Sequence, residues 1–347
     1  MKNIAVIGYG GQGAWHCTQI LKSDVVTLAG TYDVRQVRRE AAENNGIKVY
    51  ESNEAIFADP AVDAVVIAVP NSSHKNLVIE AMKAGKNVIC EKPVEMSVKA
   101  LDEMIEASVK YNKYFTVHQN RRWDVDFLAM KQLSVSGEIG KPLCIESRIH
   151  GSRGIPSDWR CEKEHGGGMI LDWGVHLIDQ MLQIFKQKIA RVYCTCSHIT
   201  NKEVDDGFKL NLLFEDGCSA LVEVGTYNFL PMPRFYMQAE NGSAIIVDWK
   251  HKCHVAKLKA WQEKDVTPVQ NAAGITKTMA PRDEITLDEY DLEIPSSDVH
   301  DFYRNVCDVL DNKAESLIKL PEVRRVMCVM EAAFESDMKG QAINTEI

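Results

Sequence analysis

A lysine, an aspartate and a histidine in this sequence have side chains that could carry out acid–base chemistry. Lys92 comes two residues after a run at residues 87–90 that predicts a strand, and it precedes a proline, which disfavours helical geometry at the lysine. Asp172 and His176 are four residues apart in a helix-like segment, so both side chains are expected on one helical face. A carboxylate beside an imidazole can orient it and raise its pKa, and such a histidine can act as a general base or acid near neutral pH.

Each of these groups also has a plainer interpretation. A lysine at a strand end is often only a surface residue, and a polar pair at helical spacing often only stabilises its own helix. Asp179, three residues beyond His176, could contact the same ring. A metal site is the weaker hypothesis, because the spacing of histidines, cysteines and acids indicates no third ligand. We therefore predict no bound metal.

A glycine-rich turn near the start of the chain predicts a dinucleotide site. It lies between a strand-like run at residues 3–7 and a helix-like run at residues 14–21, and it consists of Gly8, Tyr9, Gly10, Gly11, Gln12 and Gly13. In a G-x-G-x-x-G turn the first glycine permits the bend, the second lets a pyrophosphate approach, and the third lets helix and strand pack closely. Unpaired N–H groups at the helix start can then bind phosphate. The alternative is a glycine-rich turn in an ordinary strand–helix unit.

An acid follows the second apolar run, at the position where such sites hold the adenosine ribose. Asp33 comes twenty residues after Gly13, behind the run at residues 25–29. A carboxylate there accepts hydrogen bonds from the ribose hydroxyls and repels a 2′-phosphate, which favours NAD. Three nearby arginines could receive that phosphate, so NADP remains the alternative; they are Arg35, Arg38 and Arg39.

A third polar loop follows the continuously apolar run at residues 64–69, which predicts a strand buried on both faces. After Val69 come Pro70, Asn71 and, three residues later, His74. In open α/β sheets ligands bind at the carboxyl ends of the strands, so Asn71 and His74 could line the adenosine or nicotinamide side. Loop and helix-cap chemistry explains these residues equally well.

The elements that must position these groups change character along the chain. Through about residue 120, strand-like and helix-like runs alternate, which predicts a doubly wound, mainly parallel Rossmann sheet. Beyond residue 122, strand patterns dominate, and they fall at residues 143–150, 191–199, 208–214, 219–225, 235–240 and 244–248. With helices near 168–185, 297–310 and 321–338, they predict an α+β domain on a large, mainly antiparallel open sheet. We place the two domains at residues 1–120 and 121–347.

Composition excludes several classes of function. The 347 residues carry a net charge of −9, which argues against a nucleic-acid or anionic-membrane surface. Apolar runs stay short of the ~18 residues that a membrane helix needs, and the chain opens on its first strand, so we expect a cytoplasmic protein. The ten cysteines show no disulfide framework and are expected to be reduced.

Taken in order, the motifs resemble one enzyme family. The glycine turn, the Pro-Asn-x-x-His loop, Glu91-Lys92-Pro93, Asn120-Arg121-Arg122 and Gly-Gly-Gly-x-x-x-Asp-x-Gly-x-His-x-x-Asp are similar to those of the glucose–fructose oxidoreductase, inositol dehydrogenase and rhizopine-catabolism (Gfo/Idh/MocA) family. The resemblance covers essentially the whole chain. It implies a Rossmann domain followed by an α/β domain whose open sheet forms the oligomer interface. It also implies catalytic roles for Lys92, Asp172 and His176.

The resemblance and the loops together define the expected site. Beyond the catalytic three, cofactor contacts are expected from the glycine turn, Asp33, Val69, Pro70, Asn71, His74, Glu91, Lys92 and Asn120. Substrate contacts are expected from Arg121, Arg153, Trp159, Arg160, Asp172 and His176. Trp159 could stack on a sugar ring, and Arg153 and Arg160 could bind hydroxyls or an acid, although a structural Trp–Arg pair explains them equally well.

These expectations give an NAD-dependent dehydrogenase that moves hydride between nicotinamide and a secondary hydroxyl of a sugar, a glycoside (at C3 in the members that it resembles) or a cyclitol. One alternative is an NAD-dependent glycosidase of the same fold that oxidises, eliminates and re-reduces. Others are a ketose or imine reductase and a non-catalytic dinucleotide-binding regulator. A broad antiparallel sheet needs cover on its second face, so a homodimer or homotetramer is expected.

Overall fold

The residues up to about 120, which we call the first half, build a five-stranded parallel sheet, and the remainder is the second half. A computed structural model describes residues 1–259, 268–271, 273–276, 282, 284–293 and 295–347. The strands of this sheet are β1 (Lys2–Ile7), β2 (Val26–Tyr32), β3 (Ala64–Ile67), β4 (Asn87–Cys90) and β5 (Phe115–Val117). They lie in the order β2-β1-β3-β4-β5 and all pair in parallel. The predicted Rossmann arrangement is confirmed.

Helices connect these strands, as the alternating pattern predicts. They are α1 (Gly11–Lys22), α2 (Gln36–Asn44), α3 (Asn53–Ala58), α4 (His74–Lys83) and α5 (Val98–Tyr111). Residues 48–50, Lys-Val-Tyr, have the pattern of a short strand, but that prediction is wrong, since they contribute a single bridge, Thr31 to Val49. Ser97 accepts a hydrogen bond from Ala100 N–H and caps α5.

The second half builds a nine-stranded mixed sheet. Its strands are β6 (Pro142–His150), β7 (Ile189–Ser197), β8 (Gly207–Phe214), β9 (Ser219–Gly225), β10 (Phe235–Ala239), β11 (Gly242–Ile246), β12 (His254–Leu258), β15 (Leu287–Asp291) and β16 (Ile343–Asn344). A separate pair joins β13 (Val269–Asn271) to β14 (Gly274–Thr276). The order is β15-β12-β11-β10-β6-β9-β8-β7-β16, and only β6 and β9 pair in parallel among these strands. The mainly antiparallel sheet is therefore confirmed, with β12, β15 and β16 added to the predicted strands.

Four further helices complete the described part of the chain: α6 (Val125–Ser136), α7 (Val175–Ile184), α8 (Asp301–Leu310) and α9 (Leu320–Lys339). A turn of π-helix at Ile170–Gly174 leads directly into α7. Side chains of β8 alternate between buried and exposed, so helices cover one face of the large sheet and leave the other open. Tyr193 and Leu213 are among the exposed apolar residues on that open face.

The last two helices return to the first half of the chain. The Tyr303 hydroxyl on α8 lies 2.6 Å from His16 Nδ1 on α1. On α9, Glu331 accepts a hydrogen bond from the N–H of Val98 at the start of α5. The split at residues 120 and 121 stays a prediction. Helix α9 packs against β7 of the large sheet and β5 of the parallel sheet, whereas α8 contacts the first half of the chain. Among the described residues, no helix is long and apolar enough to cross a bilayer.

The close approach of α1 to the glycine turn gives a stability prediction. A Cβ at Gly13 would lie 1.9 Å from the Gly8 carbonyl oxygen, whereas one at Gly11 would meet nothing within 4 Å. We expect Gly13→Ala to lower the free energy of unfolding by about 1–3 kcal/mol, because α1 must move away from the turn. Denaturant unfolding of the cofactor-free protein measures this. Gly11→Ala is the matched control and should leave stability unchanged or slightly raised; equal losses in the two variants contradict the packing argument.

Candidate active site

The glycine turn forms one wall of a deep cleft. Gly8 has φ +94°, and a Cβ there would lie 2.3 Å from the Ala68 carbonyl oxygen. Gly10 and Gly11 instead face open space at the start of α1, where unpaired N–H groups are available for an anion. The cleft has a volume of about 870 Å³, within the range of ligand sites. Because these positions are glycines, the space beside the backbone stays free of side chains, and it fits the pyrophosphate of a dinucleotide.

Asp33 lies at the end of β2, on the same cleft. Its carboxylate accepts hydrogen bonds from Tyr9 N–H at 2.7 Å and from Arg35 N–H at 2.9 Å. Arg35 and Arg38 also line the cleft, whereas Arg39 donates to the backbone oxygens of Asp33 and Val34. The acid thus fixes the glycine turn and still faces the cleft. Asp33 therefore lies where the sequence predicts it, at the end of β2, and two of the three arginines lie beside it in the cleft.

The opposite wall comes from the second half of the chain. Asp158, Trp159, Arg160, Glu162 and His165 line the same cleft as the glycine turn. Asn71 Nδ2 donates to the Gly166 carbonyl oxygen at 3.1 Å, which ties this segment to the loop after β3. Trp159 and Arg160, predicted as substrate residues, therefore lie against the cofactor cleft. The Arg160 guanidinium stacks 4.7 Å from the Trp159 ring, so the Trp–Arg pair considered from sequence is present.

Lys92 and Asp172 meet where the two halves join. Lys92 Nζ donates to Asp172 Oδ1 at 3.0 Å and to the Asp172 carbonyl oxygen at 2.9 Å. Arg160 Nε donates to the other carboxylate oxygen at 2.9 Å. Burial raises the pKa of the Asp172 carboxyl, but the two cations outweigh burial and hold it at about 2. Asp172 is therefore an ionised group between two cations, and Lys92 reaches the cleft lining beside it.

His176 is buried near this ion cluster, and its pKa differs from the expectation. Burial, then the positive charges of Lys92 and Arg121, lower its pKa well below the usual value, despite the opposing effect of Asp172. Among the described residues, Nδ1 has no hydrogen-bond partner. The expected raised pKa is wrong because the Asp172 oxygens contact Lys92 and Arg160. Asp179, expected near the same ring, is instead held by Arg122 through bonds of 2.6 and 2.8 Å.

The segment before α7 is anchored by an acid that sequence reasoning missed. Asp205 Oδ2 accepts hydrogen bonds from Met169 N–H at 2.9 Å and Ile170 N–H at 2.8 Å. A Cβ on Gly168 would lie 2.2 Å from Asp205 Oδ1, so the third glycine of the triplet admits this close approach. The acid therefore caps the segment that carries Asp172 and His176. Asp205 lies 35 residues beyond Ile170, and no sequence pattern connects the two segments, so this role could not be predicted.

Glu91 anchors the backbone of Lys92 through a buried network. Its Oε2 accepts from Lys92 N–H at 3.0 Å, and its Oε1 lies 2.7 Å from His16 Nε2 and from His118 Nδ1. Burial raises the pKa of Glu91, but His118 and His16 lower it well below the usual value. The two histidines and the acid could hold a metal ion by proximity, yet 2.7 Å is the length of a hydrogen bond. Hydrogen bonds fully explain this cluster.

Several other predicted site residues lie away from the cleft. The His74 ring is buried, with Nε2 2.9 Å from the Val69 carbonyl oxygen and Nδ1 within 3.2 Å of two carbonyl oxygens in the loop after Lys92. His74 thus connects two loops beneath the site. Among the described residues, the cleft lining includes Val69, Pro70, Asn71 and Glu91 but not Tyr9, Gly13, His74, Asn120, Arg121, Arg153, Asp172 or His176. Arg153 is exposed, and Asn120 begins a short helical turn.

Arg121 lies on the inner side of this region. Its guanidinium is 5.0 Å from the Trp173 ring centroid, and that ring is 6.0 Å from the His176 ring. The Arg121 backbone oxygen accepts a hydrogen bond from Gln180 on α7. The predicted substrate arginine therefore lies beside the proposed base, although outside the cofactor cleft.

A parallel doubly wound sheet with a glycine-turn cleft and a carboxylate at the end of β2 defines a dinucleotide-binding oxidoreductase. Residues 2–119 match the Gfo/Idh/MocA model of an oxidoreductase family with an NAD-binding Rossmann fold, and residues 127–245 match the Gfo/Idh/MocA C-terminal domain. The chain belongs to this family of oxidoreductases, whose amino-terminal domain is an NAD-binding Rossmann fold.

Known proteins resemble the chain over different lengths. The crystal structure of an NAD-binding protein from Listeria innocua is 43% identical, with a TM-score of 0.96 and 99% of each chain covered. Myo-inositol 2-dehydrogenase of Thermotoga maritima is 32% identical over 58% of this chain and 60% of its own length, less than two thirds of that enzyme. The NADP-dependent scyllo-inositol 2-dehydrogenase of Bacillus subtilis is 24% identical over 99% of this chain and 96% of its own.

The position of Asp33 gives a prediction for cofactor preference. We expect Asp33→Asn to weaken NAD binding about fivefold or more, because a charged hydrogen-bond acceptor is lost. Binding of NADP should improve relative to NAD, because the repulsion of a 2′-phosphate falls while Arg35 and Arg38 remain. Titration of both cofactors by fluorescence measures the ratio. Adding Arg38→Ala should reverse the gain for NADP; an unchanged ratio in Asp33→Asn contradicts the assignment.

Proposed function

We propose that the protein transfers hydride between NAD and a secondary hydroxyl of a polyhydroxylated ring, a sugar, glycoside or cyclitol. The observation that carries this proposal is the contact of Lys92 with Asp172 at the edge of the cofactor cleft, with His176 close by. An ammonium from the first half and an imidazole from the second half are thereby brought to one region. Two polar groups of different kinds can then act on one substrate oxygen.

The chain provides the surfaces that hold the cofactor. Gly10 and Gly11 at the start of α1 receive the pyrophosphate, and Asp33 receives the adenosine ribose. Asn71 and the segment with Trp159 enclose the cleft from the other side. When bound, the nicotinamide supplies the hydride acceptor or donor.

Lys92 stabilises the negative charge that develops on the reacting oxygen. Its ammonium already bonds the Asp172 carboxylate, and a third N–H of the ammonium remains for a substrate oxygen. A preorganised donor in a site shielded from water is effective, because it needs little rearrangement as charge develops. Glu91 fixes the lysine backbone through the Lys92 N–H bond.

His176 takes the hydroxyl proton as the carbon loses hydride. Its lowered pKa keeps the imidazole neutral and able to accept a proton at neutral pH. In the reverse direction the protonated ring returns the proton to a carbonyl oxygen. Asp172 positions the Lys92 ammonium and balances the charge of the imidazolium that forms.

The substrate class rests on the family and on the polar site. The two inositol dehydrogenases named above act on cyclitols, which supports a cyclitol beside the sugars and glycosides that the loop at residues 153–160 suggests. The glycosidase alternative is testable by aglycone release, and a ketose or imine reductase uses the same groups in the reverse direction. A regulator without catalysis is the weakest candidate, because Lys92, Asp172 and His176 are all retained.

The open face of the large sheet supports a homodimer or homotetramer. Exposed apolar side chains on neighbouring strands, Tyr193 and Leu213 among them, lose contact with water when a second sheet covers them. A location in the cytoplasm fits the free thiols, since all ten cysteines are unpaired.

Removal of either polar group tests the mechanism. We expect Lys92→Met and His176→Gln each to lower kcat by at least about 100-fold, because positioned proton transfer and charge stabilisation are lost. Stopped-flow or steady-state absorbance of reduced nicotinamide, over a panel of sugars, glycosides and inositols, measures the rate. NADH binding should persist in both variants. Lys75→Met, which removes a surface ion pair with Glu103, is the matched control and should retain activity; full activity in either site variant contradicts the mechanism.

The lowered pKa of His176 predicts the pH profile. A lowered pKa keeps the base form as pH falls through 6.5, so kcat/KM for alcohol oxidation should decline only at lower pH. Arg121→Gln removes one of the cations that lower this pKa, and the midpoint should therefore move upward. Initial rates between about pH 4.5 and about pH 8 measure both midpoints. An acid limb at or above 6.5 in the parent protein contradicts the assignment of His176 as base.

A further inference from the structure

Two tryptophans lead outward from the proposed reaction centre. Trp173 lies between Asp172 and Gly174 in the π-helical turn, and its ring centroid is 6.0 Å from the His176 ring. Trp249, in the bend after β11, has its centroid 6.4 Å from Trp173, at an interplanar angle of 33°. We call these two side chains the tryptophan ledge. It connects the site to solvent on the side of His176.

The inner part of the ledge is held in place. The Arg121 guanidinium contacts the Trp173 ring at 5.0 Å, a cation–π distance. Arg121 is itself fixed by Gln180 at its backbone oxygen and lies 3.4 Å from the Asp124 carboxylate. Trp173 is half-buried. The position of the inner ring is therefore fixed by contacts within the chain.

The outer part of the ledge is open. Trp249 is 59% exposed, and Val247, two residues earlier, is also exposed. The Arg234 N–H bonds the Val247 carbonyl oxygen at 3.0 Å, so the ladder between β10 and β11 continues one step and supports the base of the bend. A large aromatic surface that is left in water beside a site is a common feature of ligand grooves. Here the surface is continuous with the site through Trp173.

We propose that the tryptophan ledge is a subsite for a second ring on the substrate, an aryl aglycone or the apolar face of a second sugar. The inference rests on the proposed function, since it takes the reacting ring to lie against Lys92 and His176. Trp173 then borders that ring, and Trp249 lies one ring further out. Aromatic faces bind apolar ring faces by stacking, and an indole has the largest such face. The preferred substrate is therefore a glycoside rather than a free monosaccharide or cyclitol.

A pair of glycosides that differ only in the second ring provides the test. The probes are methyl β-D-glucopyranoside and phenyl β-D-glucopyranoside, each assayed for NAD reduction with the intact protein. In Trp249→Ala we expect the phenyl-to-methyl ratio of kcat/KM to fall about fivefold to tenfold, because stacking on the phenyl ring is lost. Trp249→Phe should restore most of the ratio. The matched control is Phe229→Ala, which removes a 71% exposed ring that contacts Tyr227.

A second measurement does not depend on turnover. Saturation-transfer NMR on the NADH-loaded protein should show strong transfer to the phenyl protons in the parent protein, and weak transfer in Trp249→Ala. If neither glycoside is oxidised while this pattern holds, the proposed function is wrong for these compounds and the subsite stands. An unchanged ratio and unchanged transfer in Trp249→Ala, or no phenyl transfer in the parent, overturns the subsite. Sedimentation of Trp249→Ala gives one further contrary outcome: loss of an oligomer with both glycoside readouts unchanged assigns the ledge to a second copy of the chain.

Discussion

The buried ion pair of Lys92 and Asp172 is the interaction on which the arrangement of this molecule depends. It joins a strand end of the parallel sheet to the π-helical turn before α7, and so sets the distance between the two halves of the site. Loss of Asp172 would leave the Lys92 ammonium without its carboxylate, and an uncompensated charge of a buried pair typically costs about 3–5 kcal/mol. Arg160 adds a second cation to the same carboxylate, so the segment that encloses the cofactor cleft is tied to the same point.

Each partner of this pair is held by a separate support. On the side of Lys92, the Glu91 carboxylate bonds the lysine backbone and is itself held by His16 and His118. On the side of Asp172, the turn begins at N–H groups that Asp205 caps. Polar groups buried in this way are worth most when every member is satisfied, because the low dielectric strengthens each bond and also the penalty for losing one. The geometry of the site therefore also depends on His16, His118 and Asp205, which do not line the cleft.

Features that depend on residues close together in the chain were predicted correctly from the sequence. Continuous apolar runs and the glycine spacing predicted β1 to β5, the parallel sheet and the acid at the end of β2. Alternating patterns predicted most of the large sheet.

The contacts of Asp172 could not be predicted, because its partners Lys92 and Arg160 come from distant segments, and the i,i+4 spacing to His176 pointed to the wrong partner. His74 was misplaced for a related reason: its loop is at the correct edge of the sheet, but its ring lies beneath the site, with three backbone carbonyl oxygens around its nitrogens. Asp205 and Trp249 carried no motif at all.

The return of α8 and α9 to the first half has a consequence for how the protein is made. His16 is synthesised early, yet the hydroxyl that it contacts belongs to Tyr303, 287 residues later. Val98 likewise awaits Glu331. Amino-terminal domains generally fold first as a chain emerges from the ribosome, but here the nucleotide-binding half lacks part of its hydrogen bonding until α8 and α9 have been synthesised. An excised Rossmann half would therefore lack the contacts that Tyr303 gives to His16 and that Glu331 gives to Val98.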